Sequence, residues 1–282
     1  MNGMLRTLLI LGRISNLPTV WSNVLAAWLV SGADINRQFF VVCVGASLLY
    51  VGGMFWNDAI DATFDQAHRP ERPIPSGCIS RRAVVAIGAI LLAAGSMVFV
   101  VAGGAGPIWV ALLSGCIVVY DVVHKKTEAA PWIMAGCRAL LVLAAASAVQ
   151  QPASFALLLY ASGLFLYVAG LSLLARKESA CNIASRWPVV LFLAAVFLLL
   201  VAAPSHTVWS WLRLAAFVGW LLFCLHQVYG PSRNIGRAVA GLLAGIILLD
   251  WFAVGGSTPI QTVDFAVLFG LTLVLQRRVP AT

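Results

Sequence analysis

Ten apolar stretches follow one another along the chain, at roughly 17–32, 38–60, 82–102, 105–122, 130–149, 154–175, 187–203, 207–228, 235–253 and 260–276, and nearly every charge falls between them. Each is close to the ~20 residues that an α-helix needs to cross a bilayer's hydrocarbon core. Within that core only structures that satisfy their own backbone hydrogen bonds are viable, which leaves helices for segments of this length. With 61% hydrophobic and 10% charged residues, the 282-residue chain is far too apolar for a soluble domain and has no room for one beside its spans. The expected fold is therefore an all-α polytopic membrane protein, a single domain over 1–282. Nine to ten transmembrane helices would surround a central cavity that opens toward the cytoplasm. Arg13 interrupts the first apolar run early and no small-residue cleavage site follows, so residues 1–13 are read as mature chain rather than a signal peptide.

The net charge of +8 does not point to nucleic acid, because of where the bases lie. Arg6, Arg13, Arg69, Arg72, Arg81, Arg82, Lys125, Lys126, Arg138, Arg176, Lys177, Arg186, Arg233, Arg237, Arg277 and Arg278 fall on one side of the ten-span layout, and only Arg37 and Arg213 on the other. That asymmetry predicts a cytoplasmic N-terminus in a multi-pass protein of a bacterial inner membrane, with membrane lipids as neighbours. It also favours ten spans, since Arg277 and Arg278 then lie inside. The six cysteines show no paired metal-ligand spacing and read as packing residues.

The polar connections at 61–81, 121–130 and 176–186 all lie on the basic side. The first carries Asn57, Asp61 and Asp65, which on a helix drift only modestly around the axis and share one face over about 12 Å. Asp58 is expected to point elsewhere. A stripe of oxygen ligands at that spacing suits a hard divalent cation with a diphosphate. Prolines 70, 73 and 75 should end the helix and let Arg72 lie back over the acidic face, where an arginine fork matches a diphosphate.

The second connection opens with Tyr120-Asp121-Val122-Val123-His124-Lys125-Lys126. Tyr120 and His124 are one turn apart there, and the bases suit either an anionic ligand or merely the negative end of a helix. In the third, Arg176 and Lys177 stand beside a single carboxylate, Glu178. Arg138 is a lone base near membrane depth, either reaching the surface or contacting a ligand. Arg13, Asn16 and Asn23, in or before the first span, are further candidates of that kind.

The spacing Asn57-x-x-x-Asp61-x-x-x-Asp65 followed by Arg72-Pro73-Ile74-Pro75-Ser76-Gly77 resembles the signature of the UbiA superfamily of intramembrane prenyltransferases, most closely its EboC-type branch. The likeness runs from Arg13-Ile14-Ser15-Asn16-Leu17-Pro18 through a Tyr/base motif after the fourth span. It implies a prenyltransferase that moves an isoprenoid chain from a prenyl diphosphate to a lipid-soluble or aromatic acceptor. On that resemblance, Asn57, Asp61, Asp65 and Glu178 would hold Mg²⁺, with Asp61, Asp65, Tyr120 and Lys125 catalytic. Arg72, His124, Lys125, Lys126, Arg13, Asn16, Asn23, Arg138 and Lys177 would bind substrate.

Two departures stand out. The usual Tyr-x-x-x-Lys-Arg becomes Tyr120-x-x-x-His124-Lys125, and the usual second Asp-rich motif after span six is replaced by Arg176-Lys177-Glu178-Ser179. The second departure keeps open a non-catalytic isoprenoid carrier. A small-solute transporter finds support only in Asp250 and Asp264, the two carboxylates within the late spans.

Overall fold

A computed structural model describes residues 3–178, 186–202, 207–231, 233–255 and 259–279. The described residues form eleven α-helices: α1 (Gly3–Leu11), α2 (Leu17–Val30), α3 (Arg37–His68), α4 (Arg81–Met97), α5 (Pro107–Val123), α6 (Ala130–Ser147), α7 (Phe155–Glu178), α8 (Pro188–Ala202), α9 (Val208–Tyr229), α10 (Ile235–Ala253) and α11 (Pro259–Gln276). Helices α2 to α11 coincide in order and position with the ten apolar stretches. Six are both long and apolar enough to cross a membrane, and the helices at 107–123, 188–202 and 261–276 are apolar but shorter. The chain is an integral membrane protein by this composition.

Local chemistry starts these helices where it should. The Asn36 side chain accepts from the Phe39 amide to open α3, Ser80 from Ala83 to open α4, and Asn234 from Arg237 to open α10. Prolines 18, 107 and 131 occupy first-turn positions of α2, α5 and α6, where a missing amide costs nothing. Helix α2 stops at Gly32, whose φ of 79° few other residues adopt readily.

Helix α3 is the exception in length. Its 32 residues rise about 48 Å against about 30 Å of hydrocarbon, so it continues well past a single crossing. The residues in that extension are Asp58 to His68, and the helix ends there just before Pro70.

Helix α2 packs against α3, α6, α10 and α11, and α10 against α2, α7, α9 and α11. Between them and α5 lies a cavity of about 230 Å³. Its wall is apolar over most of its area, through residues such as Val20, Leu49, Ile117, Val168, Leu243 and Ile246. Its polar lining comes from Arg13, Asn16, Tyr50, Tyr120, Asp121 and Arg138.

Candidate active site

The last third of α3 carries Asn57, Asp58, Asp61 and Asp65, all buried, and each is held by a group from another part of the chain. Arg72, beyond the proline-rich turn, folds back so that one Nη1 lies 3.3 Å from Asp58 Oδ1 and 3.2 Å from Asp65 Oδ2. The sequence pattern of a base returning over an acidic face is therefore what the structure shows. Asp58 is the departure from expectation. It lies seven residues before Asp65, close to two full turns, so both reach Arg72 from the same side. The seven-residue spacing was the available signal.

Arg13 completes this side. It occupies a left-handed backbone conformation (φ 42°) between α1 and a short 3-10 turn, Ile14–Asn16. That bend aims its Nη2 at Asn57 Oδ1 and Asp58 Oδ1, each 3.3 Å away. The Tyr50 hydroxyl donates to the Arg13 carbonyl at 3.4 Å.

The opposite side comes from the end of α5. Lys125 Nζ sits 2.8 Å from Asp61 Oδ1 and 3.8 Å above the Phe64 ring centroid. His124 Nε2 lies 3.2 Å from the same carboxylate, while its Nδ1 lies 3.0 Å from the Asp121 carbonyl oxygen. Both ring nitrogens thus face acceptors, an arrangement that suits the imidazolium. Burial alone would pull the His124 pKa down, but the hydrogen bond and charge of Asp61 outweigh it and the net shift is upward. Tyr120 stacks on His124 with ring centroids 5.2 Å apart and lines the cavity.

Asp121 sits one residue beyond Tyr120 and is buried. Its Oδ1 accepts from Asn57 Nδ2 at 3.3 Å, and this bond joins the two motifs directly. Neither His124 nor Lys125, its neighbours in sequence, forms an ion pair with it among the described residues. Its Oδ2 is buried with no hydrogen-bond partner among the described residues.

The remaining sequence candidates divide. Asn16 lines the cavity, and Lys126 is exposed beside Lys125. The Arg138 guanidinium also lines the cavity. It donates to Asn23 Oδ1 at 2.9 Å and to Thr19 Oγ1 at 3.0 Å, so it is buried and paired rather than reaching for the surface. Asn23 in turn donates to Asp250, 3.1 and 2.9 Å from its two oxygens. In sequence, Asp250 is one of only two carboxylates that hint at a transport route; the structure makes it the centre of a buried polar knot. Lys177 and Glu178 end α7, but their side chains lie outside the described residues, as does all of 179–185.

The geometry can hold a metal-bound anion. Among the described residues no three of His, Cys, Asp and Glu gather closely enough to cage an ion unaided. The donors are nevertheless hard oxygens, the type that divalent alkaline-earth ions select. One of them, Asp121 Oδ2, is buried without a partner, and four bases (Arg13, Arg72, His124 and Lys125) stand ready to turn from carboxylate to phosphate oxygens. The residues present fit such a group.

The chain is similar to known proteins in sequence and in fold. The model of the UbiA prenyltransferase family matches residues 15–234, a stretch that contains both motifs but not Arg13 or Asp250. The digeranylgeranylglyceryl phosphate synthase of Methanothrix thermoacetophila is 37% identical over 94 residues, which are 33% of this chain and 35% of that protein. The synthase of the same name from Ignicoccus hospitalis is 30% identical over 126 residues, 45% of this chain and 41% of its own. The chain thus aligns with less than half the length of these curated relatives.

Among solved structures, a UbiA homologue from Aeropyrum pernix K1 superimposes with a TM-score of 0.67 at 14% identity, covering 86% of this chain and 97% of that one. A digeranylgeranylglyceryl phosphate synthase structure gives 0.63 at 18% identity, covering 90% and 99%. At those identities the structures speak to the fold alone. The family model spans most of the chain: the chain belongs to the UbiA prenyltransferase family.

Proposed function

We propose that this protein transfers an isoprenoid chain from a prenyl diphosphate to a lipid-soluble acceptor inside the membrane, with Mg²⁺ as cofactor. The observation that carries the reading is the tie between the acid–base cluster and an apolar cavity, made by Arg13 and Asp121, which line the cavity and bond to Asp58 and Asn57. A diphosphate belongs among the bases, and an isoprenoid tail belongs in the cavity.

Asn57, Asp61 and Asp65 would hold the metal, which when bound offsets charge growing on the diphosphate as the allylic C–O bond breaks. Arg72, Lys125, His124 and Arg13 supply fixed donors to the same oxygens, preorganised by the carboxylates that hold them now. The dry cavity wall keeps water from the allylic cation, and Tyr120 offers it a π face. The acceptor then attacks and loses a proton. The relatives' name specifies a product with isoprenoid chains on glyceryl phosphate, which supports a lipid acceptor over an aromatic one. Arg138, already buried at the cavity wall, suits an anionic or polar group on it. The basic side of the membrane, and with it this site, would be cytoplasmic.

The replacement of an acidic motif by Arg176-Lys177-Glu178 supports a second reading, a carrier that binds prenyl diphosphate without turning it over. Radiolabelled geranyl, farnesyl and geranylgeranyl diphosphates, offered to purified protein with a native lipid extract, separate the two. A lipid product made with Mg²⁺, abolished by EDTA and lost in Asp61→Asn is expected. Metal-dependent binding with no product from any donor would establish the carrier instead.

A further inference from the structure

Every aspartate on the α3 extension already faces a base. Asp58 has Arg13 and Arg72, Asp65 has Arg72, and Asp61 has His124 and Lys125. Asp121 does not. It comes from a different helix, is 1% exposed, forms no ion pair among the described residues, and lines the cavity beside Tyr120 and Arg13. One of its oxygens is pinned by the Asn57 amide at 3.3 Å and the other is buried without a partner.

A carboxylate oxygen desolvated in this way is costly unless something completes it. No protein donor does so among the described residues, while the cavity onto which the residue opens is where the metal and diphosphate of the proposed function would enter. The sequence adds an independent reason. At the end of α7 only Glu178 remains to supply a carboxylate, beside two bases, which leaves room for a further ligand from another helix. The end of α5 supplies one, joined to the first motif by a direct hydrogen bond.

We propose that Asp121 is a direct oxygen ligand of the divalent cation in this site, so that α5 shares the metal with α3. The inference rests on the metal-dependent reading above. Asn57 then acts twice: its amide orients the Asp121 carboxylate, and its carbonyl oxygen, 3.3 Å from Arg13 Nη2, would turn to the ion as Arg13 turns to the diphosphate.

The test is Mn²⁺ binding, followed by electron paramagnetic resonance on the purified full-length protein with inorganic diphosphate present, so that no turnover enters the readout. Wild type, Asp121→Asn, Asp121→Glu and Asp61→Asn are compared. The expected result is a loss of Mn²⁺ affinity of about tenfold or more in Asp121→Asn, since even outer-shell changes at metal sites cost that much. Asp121→Glu, which keeps the carboxylate, should recover most of it and shows that the asparagine protein fails by ligation and not by misfolding. Wild-type Mn²⁺ affinity in Asp121→Asn, together with its loss in Asp61→Asn, would overturn the assignment of Asp121 and leave the proposed function standing. A wild-type protein that binds no Mn²⁺ overturns both.

Discussion

Arg72 holds two buried carboxylates with one guanidinium nitrogen, and this makes it the residue on which the acidic face depends. Removing it leaves Asp58 and Asp65 facing each other without that counter-charge, and removes a donor for the diphosphate. Arg72→Ala is expected to lower kcat by about 10²–10³-fold, the usual consequence of losing one preorganised donor at a developing anion. Arg72→Lys should recover only part of this, because an ammonium is a point charge and lacks the planar fork that matches phosphate oxygens. Single-turnover rates with saturating donor would read both; a lysine protein as fast as wild type would show that charge alone matters. Asp58→Asn should be milder than Asp61→Asn in the same assay, since Asp58 orients two arginines rather than meeting the metal. At this scale the chain's own pattern was informative where helical spacing decides the outcome, as for Asn57, Asp61, Asp65 and the returning Arg72. It named Arg13 as a candidate but not its partners, because the reach to Asn57 and Asp58 depends on a left-handed backbone at a residue type that rarely adopts one.

The long helix that carries these residues is set against α4 by glycines on both sides. Gly45 and Gly52 on α3 face α4 and the turn that follows it, and Gly88 and Gly95 on α4 face α3, each pair seven residues apart. A methyl group on Gly52 would stand 2.9 Å from the Leu92 backbone nitrogen, and one on Gly95 would stand 2.8 Å from that of Leu49. Close backbone approach of this kind is how membrane helices pack without a hydrophobic drive between them. Gly52→Val is therefore expected to destabilise the protein by about 1–3 kcal/mol, as overpacking does elsewhere, and to lower the thermal unfolding midpoint in detergent. Gly115→Ala on α5, where an added methyl meets nothing within 4 Å, should leave the midpoint unchanged or raise it slightly. Equal losses for both would mean that the α3–α4 contact is not the tight one. The helices themselves were legible because apolar runs, capping residues and prolines agree on their positions. The pairing of α3 with α4 through glycines was not, since glycine in an apolar run signals close approach without naming the partner.

Across the whole molecule the strongest polar tie runs between segments far apart in sequence. Asp250 on α10 is fully buried and accepts from the Ser22 hydroxyl at 2.6 Å, from Asn23 on the same helix α2, and from the Tyr160 hydroxyl on α7 at 2.8 Å. Asn23 passes the tie on to Arg138 of α6, at the wall of the cavity. Four helices are thus fixed around the cavity by one carboxylate. Ser22 and Asp250 are 228 residues apart, so no local pattern could join them, and a carboxylate read in isolation at membrane depth resembles a step on a transport path. Its saturated hydrogen bonds argue instead for a structural role, which two substitutions separate. Asp250→Ala strands three donors and removes the counter-charge that orients Asn23 and Arg138, so a loss of about 3–5 kcal/mol, with failure to purify as a single species, is expected. Tyr160→Phe deletes one donor while leaving Asp250, Asn23 and Arg138 linked. It should cost about 0.6–1.7 kcal/mol, the range measured for single hydrogen bonds between membrane helices. Below its unfolding midpoint the Tyr160→Phe protein should turn over at the wild-type rate with an unchanged KM for the acceptor. A rise in that KM without loss of stability would instead place Tyr160 in contact with the acceptor and make the knot part of the binding site.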